Sequence, residues 1–136
     1  MKVLGIDPGT AACGYGIVHG SGQHLRAAGS GCWRTSPRDP IDARLLTIFE
    51  GVRELIAEHE PDAVAIEAIF HHKSAASALL LGHARGVALL AAGQCGYAPF
   101  EYNPMTVKRS VGAHGRADKK AVARMVGLLL GETVPG

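Results

Sequence analysis

Two short apolar runs, VLGI at residues 3–6 and VAI at residues 64–66, lie on either side of one long amphipathic segment, and this arrangement limits the chain more than anything else in it. Each run is apolar throughout rather than alternating, the pattern of a strand buried on both faces. A strand, a helix and a second such strand read as a βαβ crossover, which makes the two strands parallel. Each run then meets a carboxylate, Asp7 in one case and Glu67 in the other. Parallel neighbours carry both acids to the same end of the sheet, where open α/β sheets bind ligands. An unpaired buried charge is costly, so a cation from the chain or from a ligand has to meet them.

The segment between the runs is a helix by its spacing. Ile41, Leu45, Ile48, Phe49, Val52, Leu55 and Ile56 form one apolar stripe, with Arg44, Arg53, Glu54 and Glu58 on the polar side. Asp39 is the expected N-cap with Pro40 at the first helical position, Asp42 sits in the first turn, and Pro61 marks the stop. Ahead of this helix, KVLGID (2–7), CGYGIVHG (13–20) and HLRAAGSGCWRT (24–35) read as an antiparallel meander with GSGQ (20–23) as its hairpin turn. Behind it, DAVAIEAIF (62–70) is the crossover strand and SAASALLLGHARGVALLAAGQ (74–94) a second helix. Gly82 and Gly86, four apart on that helix, call for close approach of another backbone, either the sheet or a second subunit. YAPFEYNP (97–104) reads as a last strand and KKAVARMVGLLLG (119–131) as a third helix stopped by Gly131. The order β-β-β-α-β-α-β-α predicts an α/β fold, a mixed five-stranded sheet flanked by helices, with no internal repeat or linker.

Composition narrows the class. The 136 residues suit one domain, and 47% hydrophobic with 19% charged residues is an ordinary globular mix. The apolar runs are broken by Gly, His or charge, which predicts no membrane span, and Met1-Lys2 leads straight into a strand, which predicts no signal peptide. Cys13, Cys32 and Cys95 have no metal-site spacing and read as free, packed thiols in a reducing compartment. Net charge is only +2. Between residues 108 and 124, however, Lys108, Arg109, Arg116, Lys119, Lys120 and Arg124 face a single acid, Asp118. A phosphate-bearing partner and a solvated helix face both fit that charge.

Two carboxylates held about 4–5 Å apart repel by roughly 3–4 kcal/mol at an effective dielectric near 20. A site made of oxygen ligands alone suits a hard cation such as Mg²⁺ or Mn²⁺, which activates water and steadies charge on phosphorus. The structural alternative is that Asp7 caps the Gly9–Thr10 turn while Glu67 pairs with an Arg or Lys. The DPGT turn is also similar to the phosphate loop of actin-like ATPases and sugar kinases. Those enzymes clamp nucleotide between two lobes, whereas this chain has the length of one, and it contains neither a GxxxxGK[ST] loop nor a GxGxxG opening a helix.

The motifs GIDPGT…GYGIV, GSGCWRT, AIEAIF…K…SALLLGHARGV and FEYNPMTVKRSVGAHGRADKKAV, in this order over nearly the full length, resemble the RuvC family of Holliday-junction resolvases. The resemblance implies an RNase H-like fold of the retroviral-integrase superfamily. It implies a cytoplasmic bacterial homodimer that cuts four-way DNA junctions in recombination and repair with Mg²⁺ or Mn²⁺, alongside branch-migration proteins of the RuvA and RuvB type. Asp7 and Glu67 match the first two metal-binding catalytic acids, and Lys108 and Lys119 match basic residues near the scissile phosphate. Phe70 matches an aromatic that stacks among junction bases. Lys73, Arg109, Arg116 and Lys120 complete the expected DNA-binding set, and Leu79, Gly82 and Gly86 match the dimer-interface helix. The family's other two acids lie on a final helix, and the sequence stops at GETVPG where it should begin. Asp118 and Glu132 stand in the wrong context to replace them, Asp118 reading as a helix cap. Residues 1–136 therefore read as a single nuclease domain lacking its last helix, a missing tail being favoured over an inactive copy. His71 and His72, beside Phe70, read as surface loop residues, while His114 in the basic loop fits a phosphate contact and a solvated loop residue equally well. Two other readings stay open, a junction-binding protein without cleavage and an RNA nuclease of the YqgF type.

Overall fold

Val3, Leu4 and Ile6 do form the central strand, β1 (Lys2–Asp7). In the computed structural model, which describes residues 2–9, 11–21, 24–68 and 74–102, it is followed by β2 (Ala12–Ser21), β3 (His24–Arg34), α1 (Ile41–His59), β4 (Ala63–Glu67), α2 (Ala75–Gln94) and β5 (Phe100–Tyr102). These strands make one sheet in the order β3-β2-β1-β4-β5. β1, β2 and β3 pair antiparallel as the expected meander, while β1 with β4 and β4 with β5 are parallel. The expected third helix at 119–131 lies outside the described residues. So do Phe70, His71, His72, Lys73, Lys108, Arg109, His114, Arg116, Asp118, Lys119, Lys120 and Glu132.

Alternation along the strands sorts their side chains onto two faces. Leu4, Ile6, Cys13, Ile17, Val64 and Ile66 share one face, where they pack with Ile48, Val52, Leu55 and Ile56 of α1 and with Ala84, Ala88, Ala91 and Ala92 of α2. Each large aliphatic side chain removed from water in this way contributes about 1.5–3 kcal/mol. On the other face Val3, Val18, Ala63 and Ala65 are buried as well, so β1 and β4 are apolar on both sides, as their unbroken runs require.

The crossover is clamped at the N-terminal end of the parallel pair. The Lys2 backbone N–H donates to Asp62 Oδ2 at 2.7 Å, the Asp62 N–H donates to the Lys2 carbonyl at 2.7 Å, and Lys2 Nζ reaches the last turn of α1 at the His59 carbonyl, 2.9 Å away. Glu60 closes the helix in the left-handed region at φ 44° before Pro61.

Two expectations about α1 are corrected. Pro40, rather than Asp39, is the N-cap; its carbonyl accepts the first helical bond from the Arg44 N–H, and no side chain caps the end. Proline's fixed φ suits the extended cap position here, at φ −57° and ψ 149°, while the Asp39 N–H is spent on a turn to the Ser36 carbonyl. Arg44 is not on a solvated side. It is buried, and its Nε donates to Thr35 Oγ1 at 3.1 Å, because the first turn of α1 is covered by the segment that leaves β3.

α2 begins at Ser74, whose hydroxyl accepts from the Ser77 N–H. By length and composition it could cross a membrane, which the expectation of no such segment overlooked. Its alanine stripe lies instead in the core shared with β4 and α1. Tyr97, after α2, donates its hydroxyl to the Pro61 carbonyl at 2.5 Å and ties the second crossover to the first.

Gly51 is where α1 meets β3. A Cβ there would run into the Trp33 indole, which stacks on Tyr15 with ring centroids 4.8 Å apart. Gly51→Ala gains about 1 kcal/mol of helix propensity, yet we expect it to lower stability by about 1–3 kcal/mol through overpacking. Urea unfolding checks this, and a stabilised variant would mean that the ring does not rest on the helix backbone.

Candidate functional site

The ladder between β1 and β4 runs Val3 opposite Ala63, Leu4 opposite Val64, Gly5 opposite Ala65 and Ile6 opposite Ile66. One residue further on, both strands end, at Asp7 and Glu67. The same register makes these two acids neighbours, with Cα atoms about 4.8 Å apart and side chains on the same face. That face is opposite to the one holding Leu4 and Ile6. Asp7 is exposed and Glu67 half-buried. Among the described residues Asp7 makes no ion pair.

The turn after Asp7 is shaped so that the carboxylate stands clear of the sheet. Pro8 is buried, and a Cβ on Gly9 would collide with the Ala12 carbonyl oxygen, so the chain can fold back into β2 this tightly only with glycine. On the β2 side Asp7 pairs with Gly14, where an added Cβ would lie 3.8 Å from the Asp7 Cβ. Without it, that flank of the carboxylate is open. Beneath, on the core face, sits Cys13. Burial pushes its thiol up to about 12, with the Gly9 backbone N–H pulling the other way and the Asp7 charge adding to the rise. The thiol therefore stays neutral at physiological pH and adds no third negative charge to the acid pair. The sequence reading missed Gly14 and Cys13 because their meaning depends on which residue they face across the ladder.

The helix following Glu67 bears on the dimer expectation. Nothing within 4 Å would meet a Cβ on Gly82 or Gly86, so these glycines do not serve approach to the sheet. Leu79 is 62% exposed and Leu90 64%, in line with the two glycines along one outer face of α2. Phe70, Lys73 and the basic positions 108–120 of the expected site lie outside the described residues, and their relation to Asp7 and Glu67 is not described.

Comparison with known proteins agrees with this geometry. The family model for crossover junction endodeoxyribonuclease RuvC matches residues 3–133. The RuvC of Moorella thermoacetica is 47% identical over 131 residues, covering 96% of this chain and 78% of that protein. The RuvC of Desulfitobacterium hafniense is 44% identical over 131 residues, covering 96% and 79%. RuvC of T. thermophilus, solved in complex with a Holliday junction substrate, matches with a TM-score of 0.81 at 29% identity, covering 91% of this chain and 90% of that one. The fold is thus that of an RNase H-like nuclease. Within that class, the chain belongs to the RuvC family of crossover junction endodeoxyribonucleases.

Like charges on adjacent strands cost stability when no cation is present. Asp7→Asn is expected to raise the melting temperature in a chelating buffer. The gain is held to about 1 kcal/mol or less, because Asp7 is exposed. A lower melting temperature would mean that the two carboxylates do not sense each other.

Proposed function

We propose that this chain resolves four-way DNA junctions by hydrolysing phosphodiester bonds at Asp7 and Glu67, with a divalent metal ion held there. The observation that carries the reading is the Ile6–Ile66 step of the parallel ladder, which brings the two acids together on one face. The donor set fits a hard cation: carboxylate oxygens, no soft ligand, and an open flank at Gly14. Among the described residues no group of three or more His, Cys, Asp or Glu side chains that could hold a metal ion is present. A bound Mg²⁺ or Mn²⁺ supplies activation of water and neutralisation of charge on the phosphate.

The chain's own residues do the rest. Asp7 and Glu67 fix the reacting end of the site on two strands that cannot slide, since the Lys2–Asp62 clamp sets their register. Lys108 and Lys119 hold phosphate oxygens and offset charge developing there. Hydrolysis adds the water oxygen to phosphorus and breaks the bond to the 3′ oxygen, leaving a 5′-phosphate. Phe70 stacks on splayed junction bases, and Lys73, Arg109, Arg116 and Lys120 track the backbone. T. thermophilus RuvC was solved on a Holliday junction, which supports the same substrate here. The protein acts as a homodimer through the outer face of α2, in the cytoplasm, with branch-migration partners of the RuvA and RuvB type.

A junction-binding role without cleavage is the second reading, favoured only by the count of acids among the described residues. Asp7→Asn separates the two. The expected result is a loss of cleavage of at least about 100-fold, junction binding kept in a gel shift, and a smaller Mg²⁺-induced rise in melting temperature than in the natural chain. No cleavage by the natural chain itself would favour the binding role. Lys119→Ala is expected to weaken cleavage and flatten its salt dependence; an unchanged rate removes Lys119 from the site. For the dimer, Gly86→Asp puts a charge on a surface that is open within one chain. Sedimentation is expected to find it monomeric and folded, and an intact dimer would move the interface elsewhere.

A further inference from the structure

The basic residues assigned to DNA so far all come after Glu67, yet the ladder between β2 and β3 brings another cation to the face and the sheet end that carry the acids. Asp7 pairs with Gly14, and Gly14 pairs with Cys32. One side-chain repeat further along the same two strands, Ala12 pairs with Arg34. Paired residues share a face, and so do residues two apart on a strand, so Arg34 projects from the same face as Asp7. Two strand spacings and one two-residue repeat separate their Cα atoms by about 12 Å.

The ground between them is low. It is floored by Gly14 and Ala12, with half-buried Cys32 alongside. A Cβ at Gly14 would find only the Asp7 Cβ within 4 Å, so among the described residues the flank of Asp7 over Gly14 is open. Arg34 itself is exposed and, among the described residues, makes no hydrogen bond or ion pair through its side chain. The carboxylates nearest in sequence, Asp39 and Asp42, are exposed on the connection to α1 and its first turn and are not paired with it. Two clustered acids repel a polyanion, so the approach to them needs positive charge on its flanks.

We infer that Arg34 binds a backbone phosphate of the strand being cut, a few nucleotides from the scissile bond, and so leads that strand across β2 toward the β3 edge. The inference rests on the junction-cleaving reading above and adds the direction in which the strand leaves the acids. The guanidinium donates to non-bridging phosphate oxygens, a contact that holds the backbone in place without reading sequence.

The test is junction binding by the full chain in a chelating buffer, measured against salt concentration. Arg34→Ala is expected to lower affinity about tenfold near 0.1 M salt and to reduce the slope of log affinity against log salt by about 0.9 per chain. Arg34→Lys keeps the slope, since a point charge still pairs with phosphate. Ala12→Glu, directly across the ladder from Arg34, places a carboxylate where it pairs with the guanidinium and lowers affinity as well. Arg53→Ala removes a charge from the exposed side of α1, where it lies over the Phe49 ring, and leaves the slope unchanged. All four keep the natural melting temperature within a few degrees. If Arg34→Ala binds with natural affinity and slope while the natural chain binds junctions, the strand does not pass over β2 and the inference falls alone. If the natural chain does not bind junctions at all, the functional reading falls and takes this with it.

Discussion

The parallel pairing of β1 with β4 is the constraint on which everything else in the molecule depends. It is held at one end by the reciprocal bonds between Lys2 and Asp62 and by the reach of Lys2 Nζ to the end of α1. At the other end it delivers Asp7 and Glu67. A slip of one residue would send one of the two acids to the core face among Leu4, Ile6 and Val64, where an uncompensated charge is costly. The apolar runs therefore do two things at once. Burying them on both faces makes the register unambiguous, and the unambiguous register is what turns two distant acids into a pair.

The surroundings of that pair are built by subtraction. Glycine at positions 9 and 14 removes side chains where the turn must close and where the carboxylate must be reached. Cys13 fills the space beneath with a thiol that burial keeps neutral. The result is an acidic edge on an otherwise low surface, bordered on β3 by Arg34. An extended polyanion fits such a surface better than a small ligand does, because a small ligand is held by a concave, mostly enclosed pocket.

α2 serves two directions. Inward, its alanines let the helix lie close on β4 and α1. Outward, Leu79, Gly82, Gly86 and Leu90 remain uncovered within one chain. Arg85, between these faces, pairs with Glu101 on β5, and β5 is the strand that flanks Glu67. The outer face of α2 is thereby tied to the strand that flanks Glu67.

Much of this was legible in the residues alone. Unbroken apolar runs, a 3.6-residue stripe and short glycine turns are local signals, and they specified the meander, both crossovers, both helices and the shared sheet end of Asp7 and Glu67. Local signals also misled where a neighbour in space decided the outcome. Arg44 belongs to the polar side by spacing, yet the chain leaving β3 covers it. Asp39 is a good cap by type, yet Pro40 takes the position. Gly82 and Gly86 announce close packing without saying against what, and only the arrangement of α1, α2 and the sheet excludes the sheet. Arg34 looks like one charge among many until the β2–β3 register sets it on the face of Asp7. The sequence by itself determined the elements, their order and the acids that end them, because propensity and periodicity are properties of a short stretch of chain. Which side chains share a face, and what stands over them, was decided only by the tertiary structure, because cross-strand register and burial belong to pairs of residues far apart along the chain.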